Sequence, residues 1–99
     1  MKIYISMPIT GHDIKKVEER CNAAKEKIKS KGHNAISPLD LCNGDYSKPY
    51  SYYIGIDLQS LLECDAVLFL DGYQNSKGCT LELAAAHIYG KEIFFEDDF

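Results

Sequence analysis

The sequence is poor in arginine, in long apolar runs and in any clustered metal-ligand pattern, and each shortage excludes a class of function. Arg20 is the single arginine, and eleven Lys+Arg against fifteen Asp+Glu give a formal charge of −4. A protein that grips polymeric nucleic acid needs a basic face to displace counterions. This balance excludes that class and leaves small ligands, single nucleotides included. The longest apolar run, Ala66-Val67-Leu68-Phe69-Leu70, falls far short of the roughly 20 residues a membrane-spanning helix requires. Residues 1–6 are too short and too strand-like for a secretory signal. The expectation is a cytoplasmic protein with no membrane partner. Cys21, Cys42, Cys64 and Cys79 form no C-x-x-C pair, and His12, His33 and His87 form no H-x-x-H pair. Zinc and thioredoxin-type chemistry are therefore not expected, nor is any metal or organic cofactor. The cysteines are expected to be reduced and mostly buried.

What is present fits one globular domain spanning residues 1–99. The chain is 45% hydrophobic and 26% charged, ordinary values for a soluble fold. A chain of this size buries about two-thirds of its surface on folding. Residues 2–6 read as a strand with Ile3 and Ile5 on one face. Pro8 and Gly11 break it, and Asp13 is a suitable N-cap for a helix over about 14–31. There Ile14, Val17, Cys21, Ala24 and Ile28 recur at steps of three and four, one apolar stripe, with lysines and glutamates on the other faces. Residues 34–36 are a weak second strand. Residues 37–50, through Asn43-Gly44-Asp45 and Pro49, read as a loop, long enough to suggest a functional element. A helix follows from Ser51 to about Cys64, with Ile54, Leu58, Leu61 and Leu62 as its buried stripe. Asp65, expected to cap the turn before it, opens the strand 66–70. A last helix over about 77–89 is expected to pack through Leu81, Ala84, Ala85 and Ile88, and a last strand covers 91–95.

Strands that alternate with helices imply a parallel sheet with right-handed crossovers. The expected fold is α/β: a three-layer α/β/α domain with a Rossmann-like or flavodoxin-like parallel sheet of about four strands. Ligands in such sheets bind beyond the carboxyl ends of the strands. Three loops meet there: Ser6–His12, Ser37–Pro49 and Asp71–Lys77.

Four groups of residues have chemical potential. Ser76 and Gly78 open the last helix, where free N–H groups and the helix dipole attract anions; the same spacing equally describes an ordinary N-cap. Glu82 lies among Leu81, Leu83, Ala84, Ala85 and Ala86, either as a surface carboxylate favoured by the dipole or as one that faces a cleft. Asp57 sits mid-helix, where aspartate is unfavourable; solvent exposure is one reason for it and a site is another. Tyr4, Ser6, Pro8, Thr10 and Gly11 form the first strand and loop, and Tyr4 either reaches the crevice or packs under a helix. Tyr46, Tyr50, Tyr52 and Tyr53 either stack on a base or cover the core.

Three segments in order carry a family resemblance. They are Tyr4-Ile5-Ser6-Met7-Pro8-Ile9-Thr10-Gly11, then Asp57-Leu58-x-x-Leu61-x-x-x-Asp65-Ala66-Val67, then Ser76-x-Gly78-x-x-x-Glu82-Leu83-x-x-Ala86. The chain resembles the nucleoside 2-deoxyribosyltransferase superfamily, which includes 2'-deoxynucleoside 5'-monophosphate N-glycosidases, and is most similar to its short bacterial and phage members. The resemblance implies that Glu82 is the nucleophile that attacks C1', that Asp57 handles the proton of the departing base, and that Tyr4 positions nucleophile and sugar. It places Ser6, Pro8, Ile9, Thr10, Gly11, Ser76 and Gly78 at the substrate. Ser76 matches the phosphate-binding serine of the monophosphate N-glycosidases, whereas Thr10 stands where those enzymes carry an arginine. The family's site is also completed by a neighbouring subunit through a segment after the last strand, nearly absent from a chain that stops at Phe99.

The implied activity is cleavage of the N-glycosidic bond of a (deoxy)nucleoside or its 5'-monophosphate, with the sugar passing to water or another base. The expected partner is that small molecule, and the expected assembly a homo-oligomer, since so small a domain gains burial by pairing. Two alternatives are carried. Gly78-Cys79-Thr80-Leu81-Glu82 is similar to the Gly-Thr-x-x-Glu turn of phosphoribohydrolases of the lysine-decarboxylase-like type, without their doubled glycine and upstream arginine. The other alternative is a nucleotide-binding module without catalysis.

Overall fold

A computed structural model of the chain describes residues 1–42, 45 and 47–99. The elements are β1 (Lys2–Ser6), α1 (Ile14–Ser30), β2 (Asn34–Ile36), α2 (Pro38–Cys42), α3 (Tyr50–Leu62), β3 (Ala66–Phe69), α4 (Lys77–Ile88) and β4 (Glu92–Phe95), with single 3-10 turns at Tyr73–Asn75 and Glu96–Asp98. All neighbours in the sheet are parallel, in the order β2-β1-β3-β4. The three-layer α/β/α architecture expected from the alternation is what the chain adopts. The difference lies in the stretch expected as loop, where Pro38–Cys42 forms a short helix. Proline is compatible with a first helical turn, which needs no N–H there, and Ser37 Oγ accepts from Leu39 N at 3.1 Å. Asn43, Gly44 and Tyr46 of that expected loop lie outside the described residues.

Side chains alternate across the sheet, and this divides the core in two. Ile3 and Ile5 of β1, with Ala66 and Leu68 of β3, pack on Val17, Cys21, Ala24 and Ile28 of α1. Tyr4 of β1, with Val67 and Phe69 of β3, packs on Leu61 and Ala86 beneath α3 and α4. The α1 stripe is thus the expected one except for Ile14, which is 40% exposed. Asp13 caps this helix by accepting from Lys15 N at 3.0 Å.

On the other side of the sheet the expected stripes are corrected. In α3 only Leu61 is fully buried; Ile54 and Leu58 are half-buried and Leu62 is exposed. In α4 the buried residues are Cys79, Glu82 and Ala86, while Leu81 and Ile88, expected to pack inward, are 46% and 72% exposed. The reason is geometric. Turning Glu82 toward the sheet sends positions 81, 84 and 88 to the opposite side of the helix. Asp65 is a further correction: its carboxylate accepts from Lys2 N at 2.9 Å and pins the start of β1 instead of capping the preceding turn. The three buried cysteines are Cys21, Cys64 and Cys79, Cys42 is half-buried, and all four are free. Among the described residues no helix is long and apolar enough to cross a membrane.

Candidate active site

Tyr4 and Ser6 are two residues apart on one strand, so both project to the α3/α4 side of the sheet. Glu82 meets them from α4, whose start is fixed by Ser76 Oγ accepting from Cys79 N at 3.3 Å. Tyr4 Oη donates to Glu82 Oε2 at 2.7 Å, and Ser6 Oγ donates to Oε1 at 2.7 Å. Each carboxylate oxygen therefore receives one hydroxyl, and the group is held in one orientation. Tyr4 and Ser6 are fully buried and Glu82 is 4% exposed. Tyr4 thus satisfies both of its alternatives: its ring lies under the helices while its hydroxyl reaches the crevice.

The carboxylate borders a cleft of about 720 Å³ at the carboxyl ends of the strands, where an open parallel sheet places its ligands. The loops after β1, β2 and β3 all contribute to it. The turn after β3 depends on glycine: Gly72 has φ of 90°, a left-handed conformation that other residues rarely adopt, and it lies against Pro8 of the loop after β1. Eight of the ten expected site residues line the cleft: Tyr4, Pro8, Ile9, Thr10, Asp57, Ser76, Gly78 and Glu82. Ser6 stands behind Glu82 instead of in the wall, and Gly11 turns away at φ 82° as part of the loop bend. Pro38, Lys77 and Cys79, not among the expected site residues, also line it, as do Tyr50 and Tyr53 of the tyrosine cluster. The signal for them was positional, since each follows a strand or opens a helix at the sheet's carboxyl edge.

Burial governs the electrostatics. Desolvation raises the Glu82 carboxyl to about 7, against the opposing pull of the Tyr4 and Ser6 hydrogen bonds and with a further push from the Asp57 charge. Asp57 is raised to about 6 by burial. Tyr4 and Tyr50 are pushed up from the ordinary phenol value, first by burial and then by the Glu82 charge. Burial likewise raises the Cys79 thiol, so it stays protonated at neutral pH. Among the described residues that line the cleft, Lys77 carries the positive charge, and it is exposed. Arg20 is engaged elsewhere, donating to Asp71 O at 3.0 Å and to Glu96 Oε1 at 3.2 Å. Tyr53 ties down the preceding segment, its hydroxyl donating to Asp45 O at 2.8 Å and accepting from Lys48 N at 2.9 Å. Two carboxylates in one apolar cleft, one of them clamped, suit stabilisation of developing positive charge and proton transfer.

Comparison with known proteins agrees on the fold. The chain is similar to a 2-deoxyribosyltransferase from Bacillus psychrosaccharolyticus, with 21% identity and a TM-score of 0.75 over 96% of this chain and 71% of that one. It is similar to a 2-deoxyribosyltransferase from Leishmania mexicana, with 19% identity and a TM-score of 0.72 over 95% and 62% of the two chains. It is also similar to a CMP N-glycosidase from Clostridium botulinum, with 17% identity and a TM-score of 0.66 over 96% and 70%. The flavodoxin-like fold expected from the alternation of strands and helices is thus the fold these structures share. No curated protein matches the chain by sequence. The model of the domain of unknown function DUF4406 matches residues 1–95, and the chain belongs to that family.

Proposed function

We propose that the chain cleaves the N-glycosidic bond of a (deoxy)nucleoside or its 5'-monophosphate, with Glu82 as nucleophile and the sugar passing to water or another base. The observation that carries this reading is the clamped carboxylate: Glu82 receives Tyr4 and Ser6, one on each oxygen, at 2.7 Å. Breaking the bond builds positive charge on the sugar ring, and a desolvated carboxylate beside C1' stabilises it. In the first step a Glu82 oxygen bonds to C1', the C1'–N electron pair leaves with the base, and protonated Asp57 supplies the proton. In the second step water or another base attacks C1', its proton passes to Asp57, and Glu82 departs as carboxylate. Two inversions give net retention, as in retaining glycosidases. The fold shared with 2-deoxyribosyltransferases and a CMP N-glycosidase supports the same chemistry.

The reactive form has Glu82 ionised and Asp57 protonated. With Glu82 raised to about 7 and Asp57 to about 6, that form is the less populated of the two singly protonated ones. Activity is expected to peak between pH 6 and 7 and fall on both sides, the limbs belonging to the pair and not to either residue.

The test is chromatographic detection of free base after incubation with deoxynucleosides, their 5'-monophosphates and the ribo counterparts. Release from one class, lost in Glu82→Ala with the fold intact, supports the reading. The class released also decides whether Thr10 or Ser76 reports correctly on the 5'-phosphate, and a preference for ribonucleotides would favour the phosphoribohydrolase alternative. Release undiminished by Glu82→Ala would remove the assigned nucleophile. Nucleotide-induced thermal stabilisation without any release would leave a binding module.

A further inference from the structure

Helices α3 and α4 both begin at the carboxyl edge of the sheet. Their first turns stand at the mouth of the cleft, and Asp57 and Glu82 lie one to two turns deeper. Tyr50 opens α3, and Gly78 belongs to the first turn of α4. The two meet: a Cβ at position 78 would stand 3.2 Å from Tyr50 Oη and 3.6 Å from Ile54 Cδ1. Glycine, a poor helix former, leaves the room in which the phenol rests. Ser76 accepts from Cys79 N through Oγ at 3.3 Å and from Thr80 N through its carbonyl at 2.9 Å. The donors of this turn that remain for a ligand are therefore the N–H groups of Lys77 and Gly78, and the Tyr50 hydroxyl lies beside them. The hydroxyls of Tyr4 and Tyr53, which also line the cleft, are committed within the chain, Tyr4 to Glu82 and Tyr53 to Asp45 O and Lys48 N.

We propose that Tyr50 selects the 5' end of the substrate: its hydroxyl contacts the 5'-hydroxyl of an unphosphorylated nucleoside, and its ring covers the turn of α4 that would otherwise hold a 5'-phosphate. The inference rests on the reaction proposed above, since it takes C1' to lie at Glu82 and the base at Asp57. The base is then inside the cleft, and the far end of the sugar points along α4 toward the mouth. Glu82 and Gly78 are four residues apart, about 6 Å along the helix, a length close to that from C1' to the 5'-oxygen of a nucleoside. Charge argues the same way. After burial, the charges of Glu82 and Asp57 are what push the Tyr50 phenol up, and a phosphate at the same place meets the same repulsion. A dianion there would need cations in return. Among the described residues that line the cleft, Lys77 carries the positive charge and is exposed, while Arg20 is bound to Asp71 O and Glu96. A neutral 5'-hydroxyl needs no counter-charge and is satisfied by one phenol.

The test sets the deoxynucleosides of adenine and cytosine each against its own 5'-monophosphate, by base release and by calorimetric binding, on the full chain. The wild type is expected to favour the nucleoside by roughly tenfold or more in kcat/KM, and Tyr50→Ala to move that ratio toward the monophosphate by roughly tenfold. Tyr50→Phe keeps the ring and removes the hydroxyl, so it is expected to weaken the nucleoside while the monophosphate stays excluded. Both compounds meet the same protein, so the ratio cancels any loss of folded fraction in a variant. A wild type that favours the monophosphate overturns the inference, as does a ratio that Tyr50→Ala leaves unchanged. Binding reads the same ratio without turnover and separates the two failures. If neither compound releases base, the reaction proposed above fails, yet a nucleoside preference in binding that Tyr50→Ala removes still upholds selection at the 5' end. Equal binding of the two compounds to the wild type overturns it.

Discussion

The two helical layers divide the work of the molecule differently. Helix α1 is a self-contained amphipathic element: it buries four residues in a row against the sheet, is capped by Asp13, and turns a densely charged face to water. Helices α3 and α4 bury less apolar surface beneath them and give part of their inner side to the Glu82 carboxyl. One layer is arranged for stability. The other accepts a desolvated acid, which opposes stability at neutral pH, in return for a poised site. Local sequence rules hold well on the first side and break on the second, as they do where function overrides packing.

The sharpest break in this comparison comes from Glu82→Gln. Base release is expected to fall by three orders of magnitude or more, since on the proposed reading the variant has no nucleophile. Stability should move the other way. A carboxyl raised in the folded state holds a proton that the unfolded chain surrenders, so wild-type stability falls as pH rises from about 4.5 to about 7 and is level above. The glutamine variant lacks that fall and gains on the wild type by a few kcal/mol between pH 4.5 and 8, readable as diverging denaturation midpoints. Parallel curves would show that Glu82 titrates normally.

Ile28→Ala probes the opposite layer. It truncates a fully buried side chain and should cost about 2–5 kcal/mol in urea unfolding, with base release per folded molecule unchanged. A loss of turnover there would mean that the layers are coupled and the division is false. Smaller again is Tyr4→Phe, which keeps the ring and removes one donor to Glu82. Losing a charge-assisted bond costs about 1–3 kcal/mol, so turnover should drop by about tenfold to a hundredfold, and the pH profile of the pair should move upward, since the lost bond lowered the Glu82 carboxyl. A drop in turnover without that displacement would make Tyr4 a packing residue only.

Legibility followed the same division. The alternation of strand and helix, the Asp13 cap and the Val17–Cys21–Ala24–Ile28 stripe were readable because nothing competes with local preference there. The α4 face was misread at Leu81, Ala84 and Ile88, while Ala85 packs on the core as expected: apolar residues at helical spacing point to a core, and the contact of Glu82 with Tyr4 and Ser6 is what shows that the acid faces in. Helix α2 was missed because Pro38 reads as a breaker, although a first turn accepts proline. The ten expected site residues came from the sheet-edge rule and three short segments. Tyr50 and Tyr53 entered only as members of a tyrosine cluster with two open roles, since their part in the cleft depends on where α3 begins.

Tyr4 and Glu82 meet across 78 positions of chain, and Ser6 and Glu82 across 76. Contacts of such long range form only after much of the loop entropy between them has been spent. The first strand and the last helix must both be docked before the carboxylate has its two donors. A partly folded form of this chain cannot carry the arrangement, so turnover by the proposed site would itself measure completed topology, and an assay of it would time the last closure in folding.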